Sequence, residues 1–97
     1  FRRVLFRSLA PTERIQLMEE VTLVAKTLAQ VFGARKINYE LLGNQLPHIH
    51  WHLIPRLATD PDPLEPVWRV PHDQVYPTGQ TFQARIEQLK IGLAKAR

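Results

Sequence analysis

At 97 residues, with 44% hydrophobic and 23% charged side chains, the chain has material for one small domain near the lower end of what builds its own core. It contains no cysteine, which excludes disulfides and thiolate metal sites and leaves the redox compartment open, and no apolar run approaches the ~20 residues that a membrane span requires. The net charge of +4 invites a nucleic-acid partner, but Arg2, Arg3 and Arg7 carry the excess; no stripe of Lys and Arg interleaved with aromatics follows, so neither nucleic acid nor a membrane is an expected partner.

The chain opens on Phe1-Arg2-Arg3-Val4-Leu5-Phe6-Arg7-Ser8 without an initiator methionine. This octapeptide resembles the translation of a sequencing adapter in frame with a gene fragment, which would make residues 1–8 a non-native leader. The β propensity of Val4, Leu5 and Phe6 supports the other reading, a native edge strand. It does not read as a signal peptide, because the apolar stretch is too short and no small-residue cleavage site follows.

From Pro11 the pattern is helical. Pro11 suits a first helical position, Glu13 and the Glu19/Glu20 pair lie toward the N-terminal half, and Gly33 is a C-terminal stop. Met18, Val21, Ala25, Leu28 and Phe32, widened by Leu17, Val24 and Val31, form a stripe at helical spacing. That stripe is expected to pack on the Ile49-Trp51-Leu53 face of the histidine-bearing strand described below. A strand over Lys36 to Leu42 and a turn at Gly43-Asn44-Gln45-Leu46 then predict an antiparallel pair with the segment Pro47 to Arg56.

Within that segment His48, His50 and His52 stand at every second position, separated by Ile49, Trp51 and Leu53 and bracketed by Pro47 and Pro55. A strand puts the three imidazoles on one face and the apolar side chains on the other, whereas a helix would scatter them. Which face of the preceding strand joins the histidines depends on a register the sequence does not fix.

Three prolines within Asp60-Pro61-Asp62-Pro63-Leu64-Glu65-Pro66 predict an extended loop over 57–78. Trp68, Val70 and Tyr76 are its hydrophobic anchors, and it is expected to be tied onto its own domain. Asp60 and Asp62 read as turn residues rather than metal ligands, and His72 as a surface residue. A final helix is expected from Phe82 to about Lys95, opened by Thr78-Gly79-Gln80-Thr81, with Phe82, Ile86, Leu89 and Leu93 on one face.

Imidazole is a common zinc ligand, so the histidine row first suggests a metal. Strand neighbours in the row stand roughly 6.6 Å apart and its ends roughly 13 Å, so two rings could share an ion but three could not easily do so. An elongated ligand such as a phosphate chain fits better: one neutral imidazole attacks phosphorus while its neighbours donate to oxygens.

His48-Ile49-His50-Trp51-His52-Leu53-Ile54 resembles the His-φ-His-φ-His-φ-φ signature, φ being apolar, of the histidine triad (HIT) family of nucleotide hydrolases and transferases. Ile37 to Asn44 is similar to that family's preceding strand and turn, and Leu46-Pro47 and Pro55-Arg56 are similar to its flanks; the likeness covers roughly Leu9 to Arg56. It implies an α+β fold with a long helix on a small antiparallel sheet and a C-terminal helix, residues 9–97 forming one domain. The strands that usually precede the helix in this family are missing from the sequence, so the chain is expected to be the C-terminal portion of a longer protein, with much of the nucleoside pocket absent.

The resemblance implies that His50 is the nucleophile, forming a covalent nucleotidyl-histidine that water releases. His48 would orient it, and His52 would donate to the leaving-group oxygen. Some transferases of the family replace the third histidine with glutamine, so His52 favours a hydrolase. Asn44 and Gln45 would lie beside the phosphates as substrate-binding residues, while Leu41 and Leu42 depart from the polar contact some members place there. The implied substrates are dinucleoside polyphosphates first, with phosphoramidates as the alternative, no cofactor and no metal for the covalent step, in a cytoplasmic homodimer. A nucleotide-binding module without turnover and a metal-dependent enzyme are the competing readings.

Overall fold

A computed structural model describes residues 4–43 and 47–97. Two α-helices and two strands follow in the order α1 (Pro11–Phe32), β1 (Lys36–Glu40), β2 (His52–Arg56) and α2 (Gly79–Ala96), with single 3-10 turns at Phe6–Ser8 and Val67–Arg69. This is the expected α+β architecture.

The limits of α1 follow from local chemistry. Pro11 occupies its first position, and the Glu13 carboxylate accepts the Ala10 backbone N–H at 2.8 Å, one half of a capping box whose other half Ala10 cannot supply. At the far end Gly33 adopts φ 60° and ψ 37°, the left-handed conformation that glycine takes without strain, and its N–H returns to the Ala29 carbonyl.

α1 packs against α2 as well as against both strands, so the expected seat on the strand face is only part of its interface. The helices pack tightly at Gly92, where an added Cβ would stand 2.8 Å from Val31 Cγ2 and 3.0 Å from Thr27 Cγ2. Thr27 is buried although polar, because its hydroxyl donates to the Leu23 carbonyl at 2.9 Å and leaves no unpaired donor. The Arg85 guanidinium lies 4.6 Å from the centroid of the Phe32 ring and covers the end of this seam. Met18 and Val24 lie at its exposed margin. α2 starts three residues ahead of the expected Phe82, and Phe82 itself is 47% exposed.

β1 and β2 pair antiparallel, with Lys36 opposite Arg56, Asn38 opposite Ile54 and Glu40 opposite His52. Alternation therefore puts Asn38 and Glu40 on the face of His52, Ile54 and Arg56, and Ile37 and Tyr39 on the face of Leu53 and Pro55. That settles the register. Two expectations are corrected by it. β1 ends at Glu40 rather than Leu42, and the strand carrying the triad begins at His52, so that His48 and His50 precede the ladder. The cause is that Glu40 is spent on His52, and residues 47–51 have no β1 partner left; the Ile49 N–H bonds instead to the Val4 carbonyl at 2.7 Å.

Among the described residues, no helix is long and apolar enough to cross a membrane.

Candidate functional site

The site is assembled from β2, the segment leading into it, and the loop that follows it. His52 opens β2, and the ring of His50 meets that of His52 edge to face, with centroids 5.5 Å apart and planes at 87°. His50 Nδ1 lies 2.8 Å from the backbone carbonyl of His48. A carbonyl only accepts, so Nδ1 must carry the proton and donate it. In neutral His50 the lone pair is thereby left on Nε2.

His48 has the complementary arrangement. Its Nδ1 accepts the Val4 backbone N–H at 3.0 Å, which assigns the proton of the neutral ring to Nε2. The neutral rings thus differ in tautomer, His48 carrying its proton on Nε2 and His50 on Nδ1. His48 and His50 are half-buried and His52 is exposed. A cavity of about 320 Å³ opens beside His48, walled by Leu5, Phe6, Leu41, Leu42 and Pro47.

Trp51, between His50 and His52, points away from this arrangement toward Phe6, whose ring stands 6.2 Å from it at 71°. Its buried indole N–H has no hydrogen-bond partner among the described residues. Asn44 and Gln45, expected to touch the phosphates, lie outside the described residues. Among the described residues no three His, Asp or Glu side chains gather as a metal ion would require.

Two further residues, named in the sequence only as a flank and a loop anchor, stand beside the histidines. Arg56 is 3% exposed and ties the following loop to the face it shares with His52: Nε donates to Asp60 Oδ2 at 2.9 Å, while Nη1 donates to Asn38 Oδ1 at 2.6 Å and to the Glu65 carbonyl at 2.8 Å. The hydrogen bond and charge of Arg56 hold the Asp60 carboxyl below its ordinary value, and the Leu57 N–H adds to this. The signal for Arg56 was present in the strand period, since residues 52, 54 and 56 share a face, and in the four-residue spacing to Asp60.

The second of these residues is Trp68. It was expected to anchor the loop through apolar burial, yet it is 57% exposed. It is held by polar and ring contacts instead: its Nε1–H donates to Glu40 Oε2 at 2.6 Å, and its ring meets that of His52 at 5.4 Å and 73°. Tyr76 is exposed and Val70 half-buried. His72, as expected, lies on the surface, its Nδ1–H donated to the Val70 carbonyl.

No curated protein matches the chain. Solved structures do, and three histidine triad proteins are similar to it. The protein from Marinobacter aquaeolei is 26% identical with a TM-score of 0.80, over 94% of this chain and 66% of that one. The protein from Bradyrhizobium japonicum is 29% identical with a TM-score of 0.77, over 88% and 63%. The protein from Sinorhizobium meliloti is 29% identical with a TM-score of 0.70, over 92% and 62%. The chain thus spans under two thirds of the length of these proteins. A family model described as the HIT domain matches residues 4–59, which is more than half of the sequence and includes all three alternating histidines, and the chain therefore belongs to the HIT-domain family of histidine triad proteins.

Proposed function

We propose that the protein hydrolyses nucleotides through a covalent nucleotidyl-histidine at His50, with dinucleoside polyphosphates as its first substrates. The observation that carries this reading is the 2.8 Å hydrogen bond from His50 Nδ1 to the His48 carbonyl, because it leaves the lone pair of the neutral ring on Nε2, as a nucleophile requires. Nε2 attacks the α-phosphorus and forms the P–N bond. The bond to the bridging oxygen breaks with its electron pair on the leaving phosphate, and His52 delivers a proton to that oxygen. Water then attacks phosphorus as it gives a proton to His52, the P–N bond breaks with its electron pair on His50 Nε2, and the nucleoside monophosphate leaves with both histidines restored. His48 orients His50, and Asn44 and Gln45 donate to phosphate oxygens. The protein works as a homodimer in the cytoplasm.

The test is incubation with α-³²P-labelled diadenosine triphosphate followed by a quench, looking for acid-labile label on protein and released AMP. Both signals are expected from the wild type. His50→Ala is expected to abolish the label and lower turnover by roughly 10⁴–10⁶-fold, as removal of a nucleophile does elsewhere. Near-normal turnover by that variant would overturn the role given to His50.

A further inference from the structure

The Trp68 indole is fixed on the histidine side of the sheet but left largely open. Its N–H is engaged by Glu40 at 2.6 Å, and Glu40 stands directly opposite His52 in the strand register. Its ring abuts the His52 imidazole at 5.4 Å. The loop leading to it is pinned by Arg56, two strand steps from His52 on the same face, which donates to the Glu65 carbonyl at 2.8 Å and to the Asp62 carbonyl at 3.4 Å. A tryptophan needed only to anchor a loop would bury its ring, because the apolar area is what holds it. This one is 57% exposed, yet its orientation is set by a hydrogen bond to a charged group, stronger than a neutral one. A flat apolar surface is therefore held ready, at little entropic cost on binding, next to the third histidine.

We propose that Trp68 is the surface on which a flat, ring-bearing leaving group stacks, so that it selects nucleoside-containing leaving groups over those without a ring. This rests on the reading that His52 faces the leaving group. Stacking of a base on an aromatic side chain is sequence-tolerant, since every base offers a π-face. Trp68 therefore favours dinucleoside polyphosphates as a class without choosing among bases. A residue that merely positioned His52 would affect all substrates alike, which separates the two roles.

The experiment compares the wild-type chain with Trp68→Leu, which keeps apolar bulk but removes the ring, and Trp68→Phe, which keeps a ring. Substrates are diadenosine triphosphate, whose leaving group carries adenosine, and adenosine 5′-phosphoramidate, whose leaving group is ammonia. Trp68→Leu is expected to lower kcat/KM on the dinucleotide by about 5- to 150-fold, the span that base–aromatic stacking covers. It is expected to leave the phosphoramidate within about twofold, and Trp68→Phe should restore most of the dinucleotide rate. Equal losses on both substrates, or none on either, overturn the proposal. A parallel calorimetric titration uses AMP and a methylene-bridged, non-hydrolysable diadenosine triphosphate. If the wild type binds but releases no AMP, the hydrolase reading fails alone, and the affinity of Trp68→Leu for the bridged dinucleotide still decides: weakened with AMP binding unchanged, stacking stands; unchanged, it falls. Failure of the wild type to bind either ligand overturns both.

Discussion

Arg56 holds its guanidinium 3% exposed and divides it among Asp60, Asn38 and two loop carbonyls. A charge so far from water is tolerable only while its partners remain. Asp60, a quarter exposed, is the only anionic member of this set, and Arg56 keeps its carboxyl below the ordinary value of 3.8. A lowered folded-state value means that the unfolded chain binds the proton more readily. The stabilisation is complete above the unfolded value and disappears as pH falls through the folded one. Asp60→Asn is expected to cost about 1–2 kcal/mol at pH 7, a hydrogen bond to a charged group discounted for the solvent around Asp60. Chemical denaturation of both proteins at pH 7 and in strong acid checks this, with the difference between them shrinking in acid; a gap independent of pH would show that the pair contributes through geometry alone. Arg56 could have been found by following the strand period two steps past His52. The link from Glu40 to Trp68 could not, because 28 positions separate the two and nothing local requires them to meet.

At the scale of elements, α1 was the most legible part of the molecule. Pro11 and Gly33 act locally, through a missing N–H and a left-handed φ, so they marked its limits without knowledge of what packs beside it. The histidine segment was legible as a family motif but less so as structure: alternation predicts strand geometry at each residue, whereas ladder length depends on how far a partner strand extends. Here β1 stops at Glu40. Hydropathy hid part of the seam between the helices, because Thr27 and Gly92, which meet there beside Val31, belong to no apolar stripe. Gly92→Ala tests that seam. The new methyl would meet Val31 and Thr27 at 2.8 and 3.0 Å, and both neighbours are β-branched and stiff in a helix. Overpacking of about 1–3 kcal/mol outweighs the gain of about 1 kcal/mol that alanine brings to a helix interior. Net destabilisation of up to about 2 kcal/mol is expected in thermal or urea unfolding. Val31→Ala placed in the same chain should recover part of it, and strict additivity of the two changes would mean that the helices do not meet there.

Over the whole molecule, burial is thin for the chain length. The radius of gyration is 15.3 Å, against about 12.5 Å for a compact domain of 97 residues. The accessible surface is 7843 Å², roughly 2,000 Å² more than a compact monomer of this size exposes. Ala25 is the one hydrophobic residue in the buried class among the described residues, while Ile15, Tyr39, Leu42 and Ile91 are each more than half exposed. Covering a standard interface takes about 800 Å² from each partner, so the excess is ample for the homodimer proposed above. Association that stabilises only the folded chain makes unfolding depend on concentration by mass action. The melting temperature is therefore expected to rise by about 2–5 °C for each tenfold increase in protein concentration, with sedimentation showing twice the chain mass at the upper end. A melting temperature that stays constant from micromolar to millimolar protein, together with a monomer in sedimentation, would rule out the homodimer and leave the thin burial as a property of the isolated chain.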